Sequence, residues 1–303
     1  MTLAAAQPKP SEIDAKAAII LVGCCAIWGL GLVMVKAANA GISPFMNSAL
    51  RSIFGGLILF VWARSRGIAL FTRDGTLRAG LISGALFGLE FLGLYEGLTL
   101  TQAARATIFL HCAPFAAALG EHMYIPGHRL TRLKTLGLLA AFAGLAIALG
   151  FSGSTTTQAT LTGDLLCLSG GIAWGATTVV VRGSKLRAAA AEKTLLYQLA
   201  VSAPILLAAS FLFGETGITN LSPMVLGAFA YTVIAVVVLG YTTWFWLMRT
   251  YSAASLHAFT FLTPIFGALA GHLLLGEAIG TPALIGLGLV TFGIWLVNRP
   301  TPV

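Results

Sequence analysis

The sequence predicts an all-α, polytopic membrane protein with about ten transmembrane helices, set as two inverted five-helix repeats around a central cavity. Three observations carry this prediction. Of 303 residues, 57% are hydrophobic and only 9% charged, and mean hydropathy is +0.90; a soluble protein of this size needs far more charge on its surface. Apolar runs of about 20 residues, the length a helix needs to cross a bilayer, recur from end to end. A short pattern also occurs twice. Ala26-Ile27-Trp28-Gly29 is followed by Lys36, and Ile172-Ala173-Trp174-Gly175 by Arg182, with 146 residues between corresponding positions.

Taken in order, residues 1–16 form a polar tail carrying Pro8 and Pro10, with no sign of a cleavable signal peptide. Spans follow at about 17–37, 45–64, 77–97, 103–124 and 132–150. A Ser/Thr-rich linker occupies 151–161. Five more spans lie at about 162–182, 194–213, 222–246, 253–274 and 281–298, before a second tail at 299–303. The two repeats are therefore 17–150 and 162–298.

Charge sets the orientation. Arg64, Arg66, Arg73 and Arg78 follow span 2, and Arg129, Arg132 and Lys134 follow span 4. Arg182, Lys185, Arg187 and Lys193 surround the end of span 6, and Arg249 follows span 8. The alternate connections hold almost no base, so the basic loops and both termini are expected on the cytoplasmic side. The same bias accounts for the net charge of +8 without nucleic acid as a partner. The four cysteines (Cys24, Cys25, Cys112, Cys167) all sit in apolar runs and read as small buried hydrophobes rather than disulfides or metal ligands.

Five spans per half, an odd number, force the halves into opposite orientations, the arrangement of many secondary transporters. Further matches support a duplication. Ala103-Ala104 with Pro114 correspond to Ala253-Ala254 with Pro264 at an offset of 150, and Arg51 corresponds to Gln198 at 147. Pro114 and Pro264 each remove a backbone donor, leaving the carbonyls of Leu110 and Thr260 without their helical partner and kinking the span. Matching kinks point to a central site, although a purely structural bend would look the same.

Several side chains could act at such a site. Thr107 and His111 share one face of span 4; the matching positions in span 9 are His257 and Phe261. A histidine in a bilayer faces the bundle interior or a wet cavity, where it can donate to a substrate carboxylate, carry a proton, or simply bond a neighbouring helix. Glu90 is the carboxylate nearest the middle of a span, and its counterpart is Gly240. It could hold a substrate ammonium or a proton, or pair with a buried base such as Arg51. Gly80, Gly84 and Gly88, Gly171 and Gly175, and Gly267 and Gly271 are spaced for close helix packing. Tyr95 stands near the outer end of span 3. Tyr241, Trp244, Phe245 and Trp246 stand near the inner end of span 8, where an interfacial belt explains most of them. No phosphate loop, dinucleotide fingerprint or HExxH pattern occurs, so no cofactor is expected.

The chain resembles the ten-helix drug/metabolite transporters with two EamA-type repeats, over essentially 17–298. The resemblance rests on Trp28-Gly29 and Trp174-Gly175, on Arg51, and on Tyr95-Glu96-Gly97-Leu98 leading into Ala103-Ala104. It rests also on the Pro114 and Pro264 segments and on Leu275-Gly276-Glu277; Gly127 stands where the first half would carry the matching glutamate. It implies outward carriage of small metabolites across a bacterial inner membrane, with similarity to exporters of aromatic and neutral amino acids. His111, His257 and Glu90 are then the candidate polar anchors, with protons a candidate co-substrate. Trp28, Trp174, Tyr95 and Trp244 are candidate cavity walls. The competing class is a membrane-embedded enzyme acting on a lipid or lipid-linked substrate. For that, His122 and His128 near the inner face are the available groups.

Overall fold

The structure, a computed structural model, describes residues 13–101, 103–126, 130–149, 161–275 and 281–299. The linker, the outer parts of both tails, Gly127, His128, Gly276 and Glu277 lie outside them. The described chain is helical: α1 (Ala15–Ala38), α2 (Pro44–Ser65), α3 (Leu77–Leu100), α4 (Ala103–Leu110), α5 (Ala113–Tyr124), α6 (Arg132–Leu149), α7 (Leu161–Arg182), α8 (Ala191–Leu212), α9 (Pro223–Tyr231), α10 (Thr242–Met248), α11 (Ala253–Thr260), α12 (Thr263–Leu275) and α13 (Thr281–Val297). A π-helical segment, Thr232–Tyr241, joins α9 to α10. Seven stretches are long and apolar enough to cross a membrane: α1, α2, α3, α7, α8, Pro223–Met248 and Ala253–Leu274; α4–α5, α6 and α13 add further helices.

Local chemistry explains where the helices begin. The Asp14 carboxylate accepts from the Ala17 amide at 2.7 Å, and Ser222 and Ser252 cap α9 and α11 in the same way. Pro44 and Pro223 occupy first-turn positions, where a missing donor costs nothing. The start of α2 is capped from far along the chain, since the Glu215 carboxylate accepts from the Phe45 and Met46 amides at 2.8 and 2.9 Å.

The two proline positions differ in kind from a simple kink. The helix stops at His111–Cys112 and restarts at Ala113, and stops again at Phe261–Leu262 and restarts at Thr263. Each proline is thus the second residue of a new helix, so each corresponding span is a broken pair. Pro204, by contrast, lies inside α8 without ending it. The π segment has no counterpart in the sequence expectation of one continuous helix over 222–246.

Glycine sets the helix contacts, because lipid leaves van der Waals packing as the main attraction between helices. A Cβ placed on Gly84 would come within 2.6 Å of Val201, and one on Gly88 within 3.1 Å of Ile205, while the Tyr197 ring lies over Gly80; α3 thereby lies flat against α8. Gly93 and Gly97 do the same against α7, and Gly137, Gly144, Gly286 and Gly293 join α6 to α13. Large apolar side chains such as Val61, Leu165, Ile172 and Ile234 are left exposed on the outside of the bundle, as a lipid-facing surface requires. Cys24, Cys25 and Cys167 are buried and unbridged, as expected; Cys112 is half-buried and also free.

The connections gather at two ends. At one, Ile42 bridges Ile218, and Ser43 exchanges hydrogen bonds with Gly217. At the other, Lys193 Nζ donates to Asp74 at 2.6 Å and to Thr72 at 2.8 Å. Lys193, with Thr76 and Thr72, holds the Asp74 carboxyl well below the usual aspartate range. The sequence treats Arg182 as a base of this loop region, but the structure buries it at 2% exposure. It pairs with Glu121 and donates to the backbone carbonyls of Met248, at 2.6 Å, and Tyr251. A long guanidinium with several fixed donors can close three helix ends at once.

Candidate functional site

The broken helices, the π segment and the two Trp-Gly helices meet inside the bundle. The first Trp-Gly pair packs α1 against α12. Gly29 lies so close to the Phe266–Gly267 backbone that an added Cβ would fall 2.7 Å from the Gly267 nitrogen. The second packs α7 against α5 in the same manner, through Gly175 and Ala113. Each tryptophan is left half-buried beside the contact.

From Trp28 a continuous set of ring contacts runs in both directions. Its indole lies 5.8 Å from Tyr241 and 5.5 Å from Trp244. Tyr241 meets Phe87 at 5.8 Å, Phe87 meets Phe91 at 5.1 Å, and Phe91 meets Tyr95 at 5.9 Å. On the other side Trp244 stands edge-on to His257 at 5.1 Å, His257 meets Trp174 at 5.3 Å, and Trp174 meets His111 at 6.0 Å. Six of the residues singled out from sequence (Trp28, Tyr95, His111, Trp174, Trp244 and His257) lie on this one track. Glu90 adjoins it in α3.

The polar groups on the track are specific. His111 is 5% exposed, and its Nδ1 lies 2.8 Å from the Thr107 carbonyl, which can only accept. Nδ1 therefore carries the proton, and Nε2 of a neutral ring is an acceptor. His257 is wholly buried, with Nε2 2.9 Å from Thr178 Oγ1 and Nδ1 without a partner. Trp28 Nε1 is likewise buried without a partner, in space left open by Gly240; a Cβ there would lie 2.6 Å from it. Gly240 is the repeat counterpart of Glu90, so one half places a carboxylate where the other makes room for an indole.

Glu90 and Arg51 do not form the structural pair that is one option from sequence. Each is buried and close enough to act on the other's charge, yet among the described residues no ion pair joins them. Arg51 instead stacks over the Phe91 ring at 4.5 Å. Its Nε and Nη2, and Glu90 Oε2, are buried without hydrogen-bond partners. Buried polar atoms of this kind are normally satisfied by protein or water, so these three stand out.

Tyr241, Trp244 and Phe245 turn inward, contrary to a belt at the membrane surface, and only Trp246 of that cluster is exposed, at 48%. Sequence reasoning does not select Arg51, Phe87, Phe91, Tyr241 or Thr178 as site residues. An arginine inside an apolar span is the one signal that could have found the first of them.

The described fold, with seven stretches long and apolar enough to cross a bilayer, defines a multi-pass membrane protein. The sequence profile of the EamA-like transporter family matches residues 15–150 and again 161–299. The chain belongs to the EamA-like transporter family. It is 26% identical to the uncharacterized transporter YvbV of Bacillus subtilis over 286 residues, covering 93% of this chain and 92% of that one. It is 23% identical over 280 residues to a probable amino-acid metabolite efflux pump of Salmonella typhimurium, covering 89% and 90%. A solved structure described only as a crystal structure of a protein superposes with a TM-score of 0.80 at 20% identity, over 93% of this chain and 96% of the other.

Proposed function

We propose that the protein is a secondary exporter of aromatic and other neutral amino acids, or similar small metabolites, across a bacterial inner membrane, working by alternating access. The carrying observation is the buried aromatic track with unpartnered polar atoms along it: Trp28 Nε1, Arg51 Nε and Nη2, Glu90 Oε2 and His257 Nδ1. Apolar walls with a few fixed polar anchors suit a small amphiphilic solute. The amino-acid metabolite pump among the relatives supports the same substrate class.

Ten spans in two inverted halves, with both termini cytoplasmic, fit the placement of the connections. The 39–43 and 213–222 connections meet at one end, and the 66–76 and 183–190 connections at the other. Thr101 at the end of α3 donates to Asp164 in the first turn of α7 at 2.7 Å. With that contact, α1 and α7 run in opposite senses, as do α2 and α8. The basic end is then the cytoplasmic one. His111, His257 and Glu90 are the groups through which a proton could be exchanged against substrate.

Cells expressing the protein should tolerate a several-fold higher concentration of a toxic aromatic amino-acid analogue, such as fluorophenylalanine, than cells with an empty vector. Equal tolerance at verified expression would count against export of this class.

A further inference from the structure

We infer that Arg51 and Glu90 form a zwitterion clamp: the Arg51 guanidinium receives the carboxylate, and the Glu90 carboxylate the ammonium, of one free α-amino acid. The inference rests on the transport function proposed above and specifies what the site reads.

Burial comes first. Arg51 is 4% exposed and Glu90 9%, yet neither is neutralised by the other. If the two charges served only packing, direct pairing would be the least costly arrangement. Instead the guanidinium carbon lies 4.5 Å from the centre of the Phe91 ring, and its Nε and Nη2 donors are unspent. Nε and one Nη are the two parallel donors with which arginine grips a carboxylate. On the next helix Glu90, the residue before Phe91, has an equally unspent Oε2. Both residues thus adjoin Phe91 on the aromatic track, Arg51 through space and Glu90 along the chain. A solute with both charges satisfies both residues; one with a single charge leaves the opposite ion buried and uncompensated.

The other half of the fold offers no second clamp. The repeat counterpart of Arg51 is Gln198, which is buried and donates to Ser83 at 3.2 Å, and the counterpart of Glu90 is Gly240. One clamp per chain follows, and the Phe87, Tyr241 and Trp28 rings adjoining it would take the side chain of the amino acid.

The test is competition binding on the purified full-length protein in lipid nanodiscs, with labelled L-phenylalanine as probe. Unlabelled phenylalanine should compete at least thirtyfold better than phenethylamine, which lacks the carboxylate, and thirtyfold better than phenylpropionate, which lacks the ammonium. Arg51→Gln should collapse the preference over phenethylamine, and Glu90→Gln the preference over phenylpropionate. Arg51→Lys and Glu90→Asp, which keep the charge, should retain part of each. Equal competition by all three compounds in the wild-type protein, which requires no variant to fold, would overturn the clamp. So would retention of both preferences in folded Gln variants. Because binding is read without transport, a clamp that discriminates in a protein with no amino-acid flux would leave this inference standing and remove the export function. Flux without discrimination would do the reverse.

Discussion

Arg182→Leu is expected to lower the stability of the purified protein by about 3–5 kcal/mol, the usual result of removing one partner of a buried ion pair. Glu121 would be left as an unpaired carboxylate at 4% exposure, and the Met248 and Tyr251 carbonyls would each lose a charged donor. Those partners lie on α5, at the end of α10 and in the turn leading to α11, so one side chain ties together three helix ends. Glu121→Leu should be damaging too. The double change to leucine should recover only part of the loss, since the two carbonyls still lack their donor. Thermal unfolding in detergent, followed by monodisperse recovery on a sizing column, reads all three variants. Wild-type recovery for Arg182→Leu would show that the pair does not hold this end together.

Gly93→Leu should cost about 3 kcal/mol, at the upper end of what overpacking does in a well-packed interior. The obstacles to a side chain there are the Leu166 carbonyl at 2.6 Å, the Ser169 hydroxyl at 3.0 Å and the Gly170 nitrogen at 3.1 Å, and the first and last are backbone atoms that cannot swing aside. Helices α3 and α7 would have to separate along the segment that includes Glu90, whose own carbonyl lies 2.9 Å from a Cβ built on Gly170. The paired control is Gly23→Leu. A Cβ at Gly23 meets nothing within 4 Å, so that change should be close to neutral. If both variants denatured at the same temperature as wild type, close glycine packing would not be what positions α3.

Much of this architecture is legible in the chain because a bilayer permits few solutions. Apolar runs must be helices, and their alternating basic connections give an expected orientation. Helices occupy each of the ten stretches expected from hydropathy, and the offsets of 146 to 150 between halves can be counted by eye. Local breaks are also legible at Pro114 and Pro264, where a donor is missing, although a proline that starts a new helix and one that merely bends an old one look alike in sequence. Pro204 illustrates the ambiguity, since α8 continues through it. The π segment over Thr232–Tyr241 is not legible, because no residue in it is a breaker on its own. It ends at Tyr241, directly before the turn of helix that carries Trp244, and both rings meet Trp28 inside the bundle. Single-residue periodicity likewise could not show that His111, Trp174, His257 and Trp244 join through space across four helices, or that Arg51 and Glu90 approach without pairing. Those facts depend on how α2, α3, α7 and the α11–α12 break pack, and that packing depends on glycines that let the backbone or a large side chain of another helix come close.

The most direct measurement is efflux from proteoliposomes. Vesicles containing the purified protein and loaded with labelled L-phenylalanine should release it at least tenfold faster than protein-free vesicles, and excess unlabelled phenylalanine inside should slow that release by competition. Release at the protein-free rate, for phenylalanine and for the other aromatic and neutral amino acids alike, would contradict the exporter proposed here.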